Sequence, residues 1–317
     1  MATYKTYEAV GEREDLSDVI YNISPTDTPF MSSVGKSKAT FVTHEWQTDS
    51  LAAASSSNAA VEGADATSAT MAATTRLNNT TQISQKTVQI AGTLDTVDKA
   101  GRKSEKAYQL SKASAELKRD MEASLLSNTA RVVGDASTAR KLGGIQSWLN
   151  TNSDLGSGGS AGSLGTTARG TGTDAAFSEA MLKSNVKKVF SAGGNPSVLM
   201  VTPTQKQNVS AFSGVAASRY QVPVSGKSKI VGAADIYLSD FGELAVVPNR
   251  FMTADGGDGG EVALVLDPEY LSVAYLRPFA TNELAKAGDS EKTQLLVEYT
   301  LEVKNEAAHG IIADLAE

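Results

Sequence analysis

Two histidines, one serine within a Gly-x-Ser-x-Gly match and one acidic glycine run are where this chain has the residue types for catalysis or metal binding. His44 sits where Phe41, Thr43 and Glu45 alternate with Val42, His44 and Trp46, and His309 lies near the end of the sequence. A zinc-type site needs several N, O or S donors converging on one point. Neither histidine has ligand-like spacing to such partners, so both read as structural. Gly158-Gly159-Ser160-Ala161-Gly162 spells a nucleophile elbow, a motif that works when a strand delivers the serine to a tight turn before a helix. Here it lies in Gly/Ser-rich sequence with neither element beside it. A Ser160-dependent hydrolase, with His309 following in chain order, is therefore the weaker alternative. Asp255-Gly256-Gly257-Asp258-Gly259-Gly260-Glu261 offers oxygens to a hard cation but matches no complete calcium-loop spacing. It reads as a turn between strands, because Asp-Gly pairs form turns. There is no phosphate-binding loop, dinucleotide fingerprint or aromatic–basic interleaving. The expectation is a non-enzymatic protein with no catalytic, cofactor or metal site, acting through contacts with other chains.

Composition narrows the setting. The 317 residues contain no cysteine, which removes disulfides and thiolate chemistry together and fits a reducing cytosol. The net charge is −7, opposite to what tight binding of nucleic-acid phosphates requires. Lys183, Lys187 and Lys188 form a local basic group that reads as a solvated helix face. No window approaches the apolar length of a membrane span, and the first residues carry no signal-peptide pattern.

Positioning elements follow from periodicity. Residues 1–37 begin with an acidic, weakly helical stretch (Glu8 to Ile23) and continue through Ser24-Pro25-Thr26-Asp27-Thr28-Pro29-Phe30. The two prolines predict an extended arm. Strands are predicted from Thr40 to Trp46 and from Thr81 to Leu94. Between them, 18 of the 24 residues from 52 to 75 are Ala, Ser or Thr. Such a segment cannot bury enough surface alone to offset its ordering entropy, so it is either floppy or ordered by another chain. A long helix is predicted over 97–130, capped by Thr96 or Asp98, with Ala107, Leu110, Leu117, Met121 and Leu125 on one face. Its other face carries Lys118, Arg119 and Glu122 among several charges. Residues 151–174, 16 of 24 being Gly, Ser or Thr, predict a flexible loop. Beyond it come a helix capped by Asp174 over Ala175–Phe190, a strand at Val198–Val201 and a helix from Pro203 to about Phe212. Strands follow at Ile236–Leu238, Leu244–Val247, Val262–Leu266 and Leu271–Leu276. Thr293 to Lys304 alternates with period two, which predicts a long strand packing along the long helix. The fold class is α+β.

Collinear stretches then carry a resemblance. They are Ser24 to Phe30, Glu45-Trp46-Gln47-Thr48-Asp49-Ser50-Leu51, Asn79-Thr80-Thr81-Gln82-Ile83, Asp120-Met121-Glu122-Ala123, Gly143-Gly144-Ile145, Asp240-Phe241-Gly242, Val247-Pro248-Asn249-Arg250, Leu266-Asp267-Pro268 and Leu276-Arg277-Pro278-Phe279. Their order resembles the major capsid proteins of tailed double-stranded DNA bacteriophages, which share the HK97-like fold. The resemblance covers nearly the full chain. It implies an N-terminal arm (1–37), an extended β-hairpin loop (38–95), a peripheral domain with the long spine helix and a long strand (96–141 and 277–306), and an α/β axial domain (142–276) to which 307–317 returns. It also implies self-assembly into hexamers and pentamers of an icosahedral head around double-stranded DNA, bound without sequence specificity, with a portal at one vertex and no membrane. Synthesis in the host bacterial cytoplasm and residence in the virion follow from the same resemblance. A separate scaffolding protein and a cement or decoration protein are the further partners it suggests. The lysine, asparagine and glutamate of the isopeptide crosslink in some relatives find no match, so no crosslink is expected. Candidate subunit-contact residues are Phe30, Trp46, Lys118, Arg119 and Glu122. An encapsulin-like nanocompartment shell and a decoration protein are the other readings.

Overall fold

The computed structural model describes residues 27–63, 65, 66, 68, 71–97, 104–212, 222–224, 227–229, 235–252, 261–286 and 288–316. The expected helix at Glu8–Ile23 and most of the 255–261 turn lie outside the described residues.

One sheet has four strands in the order β1 (Gly35–Lys38), β12 (Leu271–Leu284), β13 (Ser290–Val303), β4 (Gln82–Ala91). The period-two pattern of β13 puts Leu295, Val297, Tyr299, Leu301 and Val303 on one side. They share a core with Ala113, Leu117, Met121 and Leu125 of α3 (Glu105–Leu126). Burying each leucine or valine fully contributes about 1.5–3 kcal/mol, so this seam dominates the local energetics. The 22-residue α3 is shorter than predicted. It starts where Ser104 Oγ accepts the Ala107 N–H at 3.3 Å, and α2 (Gly92–Thr96) is a separate short helix before it. β12 is longer than predicted because Pro278 does not stop it. β1 pairs with β12 only as far as Tyr275, and the register to β13 shifts between Arg277 and Ala280, so a ladder N–H is not needed at Pro278. The arm also differs: Pro29 opens a short helix, α1 (Pro29–Ser33), with proline at the first helical position, where its missing N–H costs nothing.

The second sheet runs β5 (Ser153–Asp154), β14 (Gly310–Ile312), β11 (Ala263–Leu266), β6 (Val198–Val201), β10 (Gly242–Pro248), β9 (Ile236–Ser239). The helices α5 (Glu179–Ser191) and α6 (Pro203–Ser210) cover one face through Leu182, Val186, Val189 and Val209. Residues on the other face, Met200, Leu264 and Ile311, join the core of the first sheet, so the two sheets share one apolar interior. The chain crosses between them through a turn at Pro268–Tyr270, and β12 starts at Leu271, ahead of the expected boundary at 277. Ser178, not Asp174, caps α5, accepting the Met181 N–H at 3.4 Å; Ala175 instead bridges Leu315. Among the described residues there are two further antiparallel pairs, the hairpin of β2 (Thr43–Thr48) with β3 (Thr75–Thr80) and the pair β7 (Val222–Val224) with β8 (Lys227–Lys229).

The Gly/Ser-rich stretch 151–174 is packed, contrary to the predicted flexible loop. Arg169 pairs with Asp314 at 2.6 Å, both side chains being essentially inaccessible. The other Asp314 oxygen accepts the Gly156 N–H at 2.9 Å. Arg169 and Asn128 exchange two hydrogen bonds of 2.8 Å, and Gly165 bonds to Ser147 and Arg131. Gly165 has φ +76° and lies against the Trp148 indole, where a Cβ would come within 2.8 Å. The preceding short helix α4 (Ile145–Trp148) is buried throughout and supplies that indole.

Candidate assembly surfaces

The β2–β3 hairpin has a firm base. Trp46 packs on Trp148 with ring centroids 5.3 Å apart. Asn79 is fully buried and uses its amide completely. Nδ2 donates to Leu301 O at 2.8 Å and Gly143 O at 3.2 Å, while Oδ1 accepts from Gly143 N and Thr80 N, each at 2.9 Å. Thr81 Oγ1 donates to Glu298 at 3.0 Å, and Glu298 also takes Arg140 and Arg277, each at 2.7 Å. His44 Nε2 stands 3.5 Å from Glu302, which accepts the Ser37 hydroxyl at 2.6 Å. The tip is the opposite. Every described residue from 49 to 76 is exposed, including Leu51 (99%), Val61 (79%) and Met71 (93%). A two-stranded ribbon of this kind is marginal in water by itself.

A second assembly of residues joins the arm, the spine helix α3 and the six-stranded sheet. Glu122 Oε1 accepts the Phe30 N–H at 2.7 Å and the Asn249 amide at 2.7 Å, and Oε2 accepts the Met31 N–H at 2.9 Å. Burial pushes the Glu122 carboxyl up, and the three N–H donors pull the other way. One turn earlier, the Arg119 guanidinium lies over the Phe251 ring at 5.5 Å.

Of the five sequence-derived contact candidates, the structure brings Phe30 and Glu122 together inside the subunit. It half-buries Trp46 and Arg119 on their own chain and leaves Lys118 exposed. Asn79 and Asn249 fall in the collinear stretches but, like Trp148, carry no predicted site role, because Leu301, Glu122 and Trp46, which they meet, are distant in sequence. The signal for Glu122 is its place at the edge of the apolar stripe, next to Met121 and three residues before Leu125. Ser160 is exposed on an isolated bridge to Gly170, with no strand–turn–helix around it. His309 is buried, and its Nδ1 accepts the Asp267 N–H at 3.2 Å. The Ser160 hydrolase alternative thus loses the context it needs. Among the described residues there is no cluster of three or more potential metal ligands and no helix long and apolar enough to cross a membrane.

An arm, an anchored hairpin with an exposed tip, a spine helix lying along a long sheet and a helix-flanked second sheet together define the HK97-like shell fold. The capsid of cyanophage A-1(L) has a similar structure, with TM-score 0.67 at 12% identity over 99% of both chains. So does the SrpI encapsulin of Synechococcus elongatus, with TM-score 0.56 at 10% identity over 96% of this chain and 92% of that one. The family model of the SU10 major capsid protein matches residues 2–316, and the chain belongs to that family. The major capsid protein of Escherichia phage Phieco32 is similar along its length, 28% identical over 98% of this chain and 96% of that protein. The chain is thus a phage major capsid protein, a structural subunit of the virion shell.

Proposed function

We propose that copies of this chain form hexamers and pentamers that close an icosahedral head around double-stranded DNA, with a portal at one vertex. In this reading residues 1–37 are the arm and 38–95 the extended loop. Residues 96–141 and 277–306 form the peripheral domain, and 142–276 with 307–317 the axial domain. The DNA is enclosed without sequence-specific binding, in keeping with the net charge of −7. A separate scaffolding protein directs assembly, and cement or decoration proteins are accommodated on the finished shell. The subunit-contact residues include Lys118 on the outer face of the spine helix, while Phe30, Trp46, Arg119 and Glu122 set the pose from which arm and loop reach the next copy.

The observation that carries this reading is the contrast within the hairpin. Its base is hydrogen-bonded at Asn79 and Thr81 and stacked at Trp46, and the described residues of its tip are all exposed. Tiling by symmetry supplies the missing partner, and many modest contacts sum to a stable shell. Replacing residues 50–74 by a short turn is expected to leave folded, soluble subunits that give no closed particles in negative-stain microscopy. Closed particles from that variant would contradict the role given to the tip. A nanocompartment is the second reading, favoured by the likeness to an encapsulin. Particles purified from infected cells are expected to hold nuclease-protected DNA; a protein cargo in its place would favour the second reading.

A further inference from the structure

The arm meets the rest of the subunit through one buried carboxylate. Thr28, which precedes α1, gives it no side-chain cap, and the Phe30 and Met31 amides bond instead to Glu122 on α3. The same Oε1 that takes Phe30 also takes the Asn249 side chain, just beyond β10. Asn249 is fully buried, and its Oδ1 accepts the Phe251 N–H at 2.8 Å. Arg119, on the same side of α3 as Glu122, covers the Phe251 ring. Two spine-helix residues one turn apart therefore hold the 249–251 segment, and one of them also holds the arm.

With the arm and the 249–251 segment both in place Glu122 is fully buried, so these three donors and not water satisfy its carboxylate. If the arm leaves, Glu122 keeps only Asn249; if 249–251 shifts, it keeps only the arm. Either change makes the remaining contact harder to hold in place. We propose that Glu122 is a latch coupling the docking of arm residues Pro29–Ser33 to the placement of Asn249–Phe251 beside the six-stranded sheet. Its consequence for assembly, which rests on the shell reading, is that tension on the arm from a neighbouring copy reaches the second sheet through this carboxylate.

The coupling itself is testable on the full-length, unassembled chain by amide hydrogen exchange, so its failure is distinct from failure of the shell reading. Coupling between sites is reciprocal. Asn249→Ala is expected to speed exchange of the Phe30 and Met31 amides by about tenfold, within the usual range of such couplings, with Val297 in the core unchanged. Phe30→Leu is expected to speed exchange at Phe251. Glu122→Asp keeps the charge but shortens its reach, and tests the latch without emptying the site. It is expected to raise exchange at Met31 and Phe251 together. Exchange raised on one side only in Glu122→Asp, or Phe30 and Met31 at wild-type rates in Asn249→Ala, overturns the proposal.

Discussion

Two stretches of this chain have nearly the same kind of composition and opposite fates. Residues 52–75 are mostly Ala, Ser and Thr, and residues 151–174 mostly Gly, Ser and Thr. The first is exposed at every described position, whereas the second is folded against Trp148 and locked by the buried Arg169–Asp314 pair. Small residues determine how little a segment buries by its own side chains. They do not determine whether other parts of the chain close over it. The 151–174 stretch has one charged anchor with a buried partner, and glycines that let backbone and indole approach closely. The tip has neither, and its apolar side chains, Leu51, Val61 and Met71, point into solvent.

The strongest way to break this contrast is to unlock the packed stretch. Arg169→Ala leaves Asp314 as an uncompensated buried charge. It is expected to destabilise the subunit by about 3–5 kcal/mol, read as a lower urea midpoint with new protease cleavage in 151–174. Unchanged stability would show that the ion pair does not hold the loop. Gly165→Ala puts a Cβ against the Trp148 indole at a left-handed backbone position and is expected to cost about 1–3 kcal/mol. A near-neutral result would mean that the indole moves aside freely.

Acid sharpens the comparison through His309, whose carbonyl accepts from Asn152 in the packed stretch. Burial pushes the His309 imidazole down to about 3. An unfolded chain takes up the proton below about 6.5, while the folded one stays neutral until about 3. Stability is therefore expected to be unaffected by this group above 6.5 and to fall as pH drops through that window. The slope contributed by this one proton is at most about 1.4 kcal/mol per pH unit. Thermal melts of wild type and His309→Gln should differ in that slope, and parallel slopes would rule out the histidine as its source. The smallest expected effect on the subunit is at the tip. Leu51→Ser with Met71→Ser should change subunit stability by no more than about 0.5 kcal/mol while reducing particle yield. A marked loss of subunit stability would mean that the tip packs on its own chain after all.

How much of this is legible in the sequence depends on how local the cause is. The alternation of β13 and the apolar stripe of α3 appear directly, because each buries one face against the other. The exposed tip is legible too, since 52–75 has no aromatic residue and Met71 as its single large apolar anchor. The start of α3 is not, because Ser104 competes with Thr96 and Asp98 as a cap. The length of β12 is hidden by Pro278, which is tolerated only because that part of the strand has no β1 neighbour and a shifted register. Packing of 151–174 is set by Asp314, 145 residues from Arg169. Glu122 reads as a candidate contact on the charged face of the long helix, not as a buried acceptor within its own chain. Its partners lie 92, 91 and 127 residues away, two of them backbone amides that no side-chain pattern announces.

Comparing hydrogen exchange in isolated subunits with that in assembled particles is the most direct test. Residues 52–75 should exchange at near-unprotected rates in the subunit and become protected in the shell, with 151–174 protected in both. A tip that exchanges equally in the two states, whether fast or slow, would contradict the claim that a neighbouring copy completes it.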